Sequence, residues 1–288
     1  MKTTAFIILS AMSLSSTVFA GKPLMIDRQG QFPVGGTTIE RPGVFNPDTF
    51  VGWTNPVQDG QTYRCDHAFA RYQIPVDAKK LPLVFVHGFG GDGVCWETTP
   101  DGRDGFATLL LREGYPTYVL DLPGRGYASR SSAEVTVKPV ADEQFWFDIW
   151  RMGIWPEWND GIQFPKDSLS VSNFFRQMVP DLSNHQLDVA ALDAMAAKIG
   201  DHILVTHSAG GGIIDGAMLA SALIDELSLV VYSGIDGLAS SPSIFECQGE
   251  PDDRPAAGQS LELLSAETVS HGVVWLRYKF HRAPDRKF

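Results

Sequence analysis

The sequence predicts an α/β architecture: a mostly parallel sheet with helices on both faces and an aromatic-rich cap insertion. Two observations carry that expectation. Short apolar runs of strand length alternate with longer stretches of helical spacing, the pattern of βα units in a sheet covered on both sides. Between Arg130 and Asn184 the alternation breaks, and four of the chain's seven tryptophans (Trp146, Trp150, Trp155 and Trp158) fall within thirteen residues.

The chain opens with a segment to be set apart from the fold. Lys2 supplies a positive start, Ala5 to Leu14 is largely apolar, and Val18-Phe19-Ala20 is a small-x-small cleavage site. These are the marks of a signal peptide over residues 1–20, so the product is expected to be secreted or periplasmic. The remaining 268 residues suit one large domain over 21–288. No later stretch approaches the roughly 18 apolar residues of a spanning helix, so stable membrane insertion is not expected.

Gly21 to Gly60, rich in Gly, Pro and Thr, is expected to be an irregular arm. Thr62 to Pro75 alternates as an opening strand or hairpin. Leu81 to Val86 is an apolar run that stops at His87-Gly88, as a strand buried on both faces does. Phe106 to Glu113 has helical spacing and closes at Gly114. Thr117 to Leu120 is a second buried strand, followed by a turn over Asp121 to Gly126. After the insertion (about 130–185), Leu187 to Ile199 is an Ala/Leu-rich helix and His202 to Thr206 a strand. Gly211 to Ile224 is helical, and Leu227 to Tyr232 is a fourth buried strand. A weaker strand over Ser243 to Cys247 and a helical stretch over Ser260 to Ala266 complete the series. The insertion, with Phe145, Trp146, Phe147, Trp150, Trp155, Trp158 and Phe164, falls where it lies above the carboxyl ends of the strands. Open α/β sheets bind ligands there, so one or two inward-facing aromatics suffice for an apolar pocket.

Removing Lys2 with the leader leaves 22 basic against 34 acidic residues. Such a surface repels phosphate backbones, so no nucleic-acid partner is expected. Cys65, Cys95 and Cys247 permit at most one internal disulfide, and their scatter holds no C-x-x-C pair to suggest a zinc site. The residues set no oligomeric state.

The chemistry centres on Thr206-His207-Ser208-Ala209-Gly210, which follows a buried strand and opens a helix. That is the context of a nucleophile elbow, in which a strained strand-to-helix turn lifts a serine oxygen above the sheet. Thr206 stands where G-x-S-x-G has glycine. Acyl transfer also needs oxyanion donors. The backbone N–H of Ala209 is one, and the loop His87-Gly88-Phe89-Gly90-Gly91 is expected to supply the other from Phe89, with Gly90 the neighbouring choice. His87 itself reads as a structural histidine bonding loop backbone.

In this fold the order is Ser, acid, His, so the base lies beyond Ser208. His271, in a small-residue turn, is preferred to His281, which sits among Arg and Lys near the end. The acid is Asp236, after the Leu227 to Tyr232 strand, or Asp252 or Asp253 in Gly249-Glu250-Pro251-Asp252-Asp253; each also suits a turn aspartate capping its own backbone.

Several segments together resemble exported bacterial carboxylesterases of the α/β-hydrolase superfamily. They are Arg71-Tyr72-Gln73-Ile74-Pro75, the His87-Gly88 turn, Trp96-Glu97-Thr98-Thr99-Pro100-Asp101-Gly102-Arg103, Gly114 to Val119, Gly124-Arg125-Gly126, Gln177 to Asp181 and the His207-Ser208 elbow. The match runs from about Tyr63 to Gly212, and the Trp96 to Arg103 octapeptide is its most specific part. By this resemblance Ser208 is the nucleophile, the Phe89-Gly90 loop forms the oxyanion hole, and the acid follows the strand after the elbow helix, which favours Asp236. The chain beyond about Asp215 departs from the family.

The function expected is therefore hydrolysis of small, neutral carboxylic esters through an acyl-enzyme on Ser208, with neither metal nor organic cofactor. Two alternatives stand beside it: a catalytically inactive hydrolase-fold binding protein with a degenerate C-terminal part, and an amidase or lactonase using the same triad.

Overall fold

In the computed structural model, strands β1 (Ile26–Glu40) and β2 (Thr62–Pro75) run antiparallel along almost their whole length. The model describes residues 23–46, 59–133, 137–180, 185–208, 216, 218–220, 224–231, 245, 256–268 and 273–282. The expected irregular arm is thus an ordered edge strand from Ile26 to Glu40. Its backbone ladder to β2 does the ordering, while Val34 alone on it is fully buried. A strand held mainly by its ladder need not show the apolar alternation that reveals a half-buried one.

Strand β3 (Leu83–Val86) is buried at all four positions. It leads through helix α1 (Val94–Glu97) and helix α2 (Phe106–Arg112) to β4 (Thr117–Asp121). The chain then enters α3 (Glu143–Ile149), the small pair β5 (Gly153–Ile154) and β6 (Glu157–Trp158), and α4 (Ser168–Arg176). Helix α5 (His185–Ile199) returns it to β7 (Ile203–Thr206). The five strands lie in the order β1-β2-β4-β3-β7. β3 is parallel to both β4 and β7, and β2 is antiparallel to β4 and β1.

Alternation along the strands divides the core into two layers. Val84, Val86 and Leu120 pack with Ala191, Leu192 and Met195 of α5, whereas Leu83, Phe85 and Val119 pack with Trp96 of α1 and Ala107 of α2. Helices therefore cover both faces, as expected. Each fully buried large apolar side chain here contributes about 1.5–3 kcal/mol. The aromatics between β4 and α5 form a third cluster of their own, in which Phe147, Met152 and Phe175 are buried and Trp146, Trp158 and Phe174 pack on them.

The C-terminal part differs from expectation. Strand β8 (Glu226–Val231) does not extend the main sheet. It joins β9 (Gln259–Thr268) and β10 (Val274–Arg282) in a separate antiparallel sheet of order β8-β10-β9, with Val230 62% exposed. The predicted helix over Ser260 to Ala266 is therefore part of β9. Its register slips where Arg277 faces Ser265 but Tyr278 faces Leu263, so Leu264 is bulged out. The bulge breaks strict alternation and leaves Leu261 and Leu264 three residues apart, which imitates a helical face. The expected burial of the 227–232 strand failed because a short apolar run fits an antiparallel sheet as well as a parallel core. The Ser243 to Cys247 strand lies outside the described residues except Phe245, as do the signal segment and most of the Gly211 to Ile224 helix. Cys65 and Cys95 are free thiols; Cys247 is outside the described residues. Among the described residues no helix is long and apolar enough to cross a membrane.

Candidate active site

Strand β7 ends at Thr206, and two residues later Ser208 adopts a left-handed backbone, φ 56°, with its side chain exposed. Serine seldom takes this conformation, because Cβ crowds the carbonyl oxygen. Such strain persists only where surrounding structure enforces it. The neighbour that enforces it is the turn after β3. A Cβ added to Gly88 would lie 2.9 Å from both the His207 carbonyl oxygen and the Ser208 Cβ. Only glycine allows the two turns to approach this closely, and parallel pairing of Val86 with Thr206 delivers them side by side.

His87 is buried and holds its own loop. The Leu122 N–H donates to His87 Nε2 at 3.2 Å, which leaves Nδ1 as the protonated nitrogen, donating to the Gly88 carbonyl at 3.0 Å. A ring occupied at both nitrogens is a structural element, as the sequence suggested. Phe89 is 42% exposed and stands against Trp146 with ring centroids 5.5 Å apart. Gly90 is left-handed, φ 66°, and its carbonyl accepts the Val179 N–H at 2.9 Å. The loop thus touches the elbow on one side and the aromatic segment on the other. His207 packs edge-on against Trp96, and burial holds its imidazole below the ordinary histidine value.

Sequence reasoning missed a charged group beneath this loop. Asp121, at the end of β4 and 1% exposed, accepts the Gly93 N–H on Oδ1 at 2.8 Å. Its Oδ2 accepts the Tyr127 N–H at 3.0 Å and Arg71 Nη1–H at 2.8 Å. Arg71 Nε also donates to Glu97 at 3.1 Å. Burial opposes the guanidinium charge, and the carboxylates of Asp121 and Glu97 more than offset it, so its pKa is raised. Asp92, in the same loop, has its carboxyl pushed up by burial. A cavity of about 150 Å³ lies among Arg71, Asp92, Asp121 and Tyr127. The visible signal was an arginine, Arg71, directly after the apolar run Ala68-Phe69-Ala70 of β2.

The octapeptide forms a closed turn. Thr99 Oγ1 donates to Asp101 at 2.5 Å and accepts the Arg103 N–H at 3.0 Å, and Arg103 Nε reaches Asp101 at 2.7 Å. Asn173 of α4 donates to the Pro100 carbonyl at 3.0 Å, which ties the turn to the aromatic segment beside a groove of about 640 Å³. Ser208 does not line that groove.

Of the predicted site residues, Ser208, Phe89 and Gly90 are therefore brought to one end of the sheet. Ala209, Asp236, Asp252, Asp253 and His271 lie outside the described residues. His271 falls in the five-residue connection between Thr268 and Val274, which pair across β9 and β10. His281 is an exposed residue of β10 bonded to Glu262 at 2.6 Å. Among the described residues no group of three His, Cys, Asp or Glu is placed to hold a metal ion.

Comparison with known proteins bears on the fold and the family. A solved structure of a novel bacterial esterase is similar to 70% of this chain and 66% of its own, with a TM-score of 0.58 and 31% identity. "Probable secreted lipase phiG" of Fungal sp. (strain ATCC 74256) is 28% identical over 144 residues, which are 45% of this chain and 38% of that protein. The chain thus spans just under two thirds of the esterase and well under half of the lipase. The model of the Alpha/beta hydrolase family matches residues 83–286, most of the chain. The chain belongs to the alpha/beta hydrolase family.

Proposed function

We propose that the chain is an exported serine hydrolase that cleaves small, neutral carboxylic esters through an acyl-enzyme on Ser208. One observation carries the reading: an exposed serine in left-handed backbone, φ 56°, follows the outer parallel strand of the described sheet and meets the glycine turn after the neighbouring strand. A hydroxyl held this way attacks a carbonyl whose oxygen sits over the amides of Phe89 or Gly90 and of Ala209. His271 takes the serine proton, and Asp236 orients the imidazole. The same histidine then activates the water that releases the acid. The 137–180 segment acts as a cap, with Trp146, Met178 and Val179 against the loop. Relatives described as an esterase and a secreted lipase support both the ester substrate and export.

The test is hydrolysis of nitrophenyl acetate and butyrate, together with labelling by a fluorophosphonate. Ser208→Ala is expected to lose both. Undiminished activity in that variant refutes the assignment.

A second reading is favoured by β8, which leaves the main sheet at the place where this fold carries its acid. In that case the chain is a binding scaffold without a working base. A folded chain that neither hydrolyses these esters nor takes the label decides for it.

A further inference from the structure

We propose that Asp121, locked by Arg71, is a positioning residue that sets the geometry of the 88–93 loop; the inference rests on the serine-hydrolase reading and deepens it. The loop is pinned at both ends by adjacent residues of one strand terminus. At its start the Leu122 N–H holds His87, and His87 holds the Gly88 carbonyl. At its far end the Asp121 carboxylate accepts the Gly93 N–H at 2.8 Å. Between these anchors lie Phe89 and Gly90, the donors of the proposed oxyanion hole. An oxyanion hole works only if its amides are already aimed before charge develops, so whatever fixes the loop acts on the transition state more than on substrate binding.

The carboxylate itself has no freedom to drift. Its second oxygen is engaged by Arg71 Nη1 at 2.8 Å and the Tyr127 N–H at 3.0 Å, and Glu97 holds the same guanidinium at 3.1 Å. Two glycine backbones crowd it as well. A Cβ added to Gly126 would lie 2.5 Å from Asp121 Oδ2, and one added to Gly93 would lie 2.8 Å from Oδ1. Two glycines therefore stand where only the carboxylate fits between their backbones. Burial at 1% exposure makes these charge-assisted bonds stronger than their equivalents in water. Asparagine at 121 keeps the shape but presents an N–H₂ to Arg71 and to the Tyr127 amide, which both donate, so the side chain is repelled or flipped and releases Gly93.

The experiment compares wild type with Asp121→Asn and, should that variant fold poorly, Arg71→Lys, which keeps the charge but loses the forked geometry. Two readouts are taken: steady-state hydrolysis of nitrophenyl acetate, and hydrogen–deuterium exchange of peptides covering the 88–93 loop and β3. Exchange in the loop is expected to rise at least roughly tenfold while β3 stays protected. The kcat value is expected to fall by about 10- to 100-fold with KM changed less than threefold, within the loss caused by removing an oxyanion donor. Loop exchange equal to wild type overturns the proposal, and so does faster loop exchange with unchanged kcat in an active enzyme. A wild-type chain that neither hydrolyses nor is labelled refutes the hydrolase reading and with it the catalytic half of this one. The claim that Asp121 holds the loop then stands or falls on exchange alone.

Discussion

The contact between Gly88 and the elbow predicts a large effect from one added methyl group. In Gly88→Ala the new Cβ would sit 2.9 Å from the His207 carbonyl oxygen, 2.9 Å from the Ser208 Cβ and 3.2 Å from His207 Nδ1. Two of these atoms belong to the elbow's own backbone and Cβ, so no flexible side-chain end can swing aside. Ordinary carbon contacts are about 3.5–4.0 Å, so the two turns must part by roughly 0.6–1 Å. Overpacking of this kind costs about 1–3 kcal/mol, which for a domain of this size lowers Tm by roughly 2–10 °C. The kinetic cost is the larger: a displacement near 1 Å between nucleophile and oxyanion donors reduces rate about 100-fold. The assay is kcat/KM for nitrophenyl acetate beside a thermal melt. Gly91→Ala serves as the comparison, because its Cβ would meet only the Gly88 carbonyl at 3.7 Å and the His87 Cβ at 3.8 Å, so its Tm should stay close to wild type. A Gly88→Ala enzyme with wild-type kcat/KM and Tm would show that the two turns are not in contact, and the site as described would be wrong.

Two further outcomes follow from the same geometry. Trp146→Ala should lower kcat/KM for a butyryl ester several-fold relative to the acetyl ester, because Trp146 stands 5.5 Å from Phe89 and supplies apolar surface beside the loop; equal losses on both substrates would remove it from the acyl pocket. For Asp66, burial pushes the pKa up, and hydrogen bonds from Ser132, at 2.8 Å from the backbone, and from Ser131 at 3.3 Å more than offset it, so the folded value is lowered. Its contribution to stability is therefore complete above the unfolded value, about pH 4, and is lost as pH falls through the folded value. Asp66→Asn should flatten the acid limb of a Tm-against-pH curve, and an unaltered limb would show that the group is not so shifted.

The part of the fold that was legible is the part in which burial and backbone pattern coincide. Leu83–Val86 and Thr117–Asp121 are buried strands, and apolar runs closed by turn residues name such strands directly. The strained turn at Ser208 was legible because the serine comes two residues after a strand in a pattern that calls for a tight turn. Strand β1 was not, since hydrogen bonding to β2 orders it and hydrogen bonding leaves no mark on composition. In β9 the bulge at Leu264 gave a strand the spacing of a helix. Asp121 was hidden for a different reason. Its partners Arg71, Gly93 and Tyr127 come from three separate stretches of the chain, so their meeting depends on tertiary register that no local window contains.

The division between the two ends of the chain has a physical consequence for the site. Among the described residues, the hydrogen bonds that aim the 87–93 loop come from the end of β4, which Arg71 of β2 braces, and from Val179 of the aromatic segment. Among the described residues after Thr206, His207 and Ser208 meet this loop at Gly88. On the proposed mechanism, the C-terminal part adds the base to a frame that already holds the strained serine. If the base were lost, the frame would still present an exposed hydroxyl beside the Phe89-Gly90 loop, and on the same proposal it would keep affinity for a carbonyl group or a carboxylate while losing turnover. On the proposed mechanism binding and catalysis should then separate: a change at Asp121 lowers kcat far more than it weakens substrate binding, and a change at His271 removes hydrolysis and spares the binding of product acid.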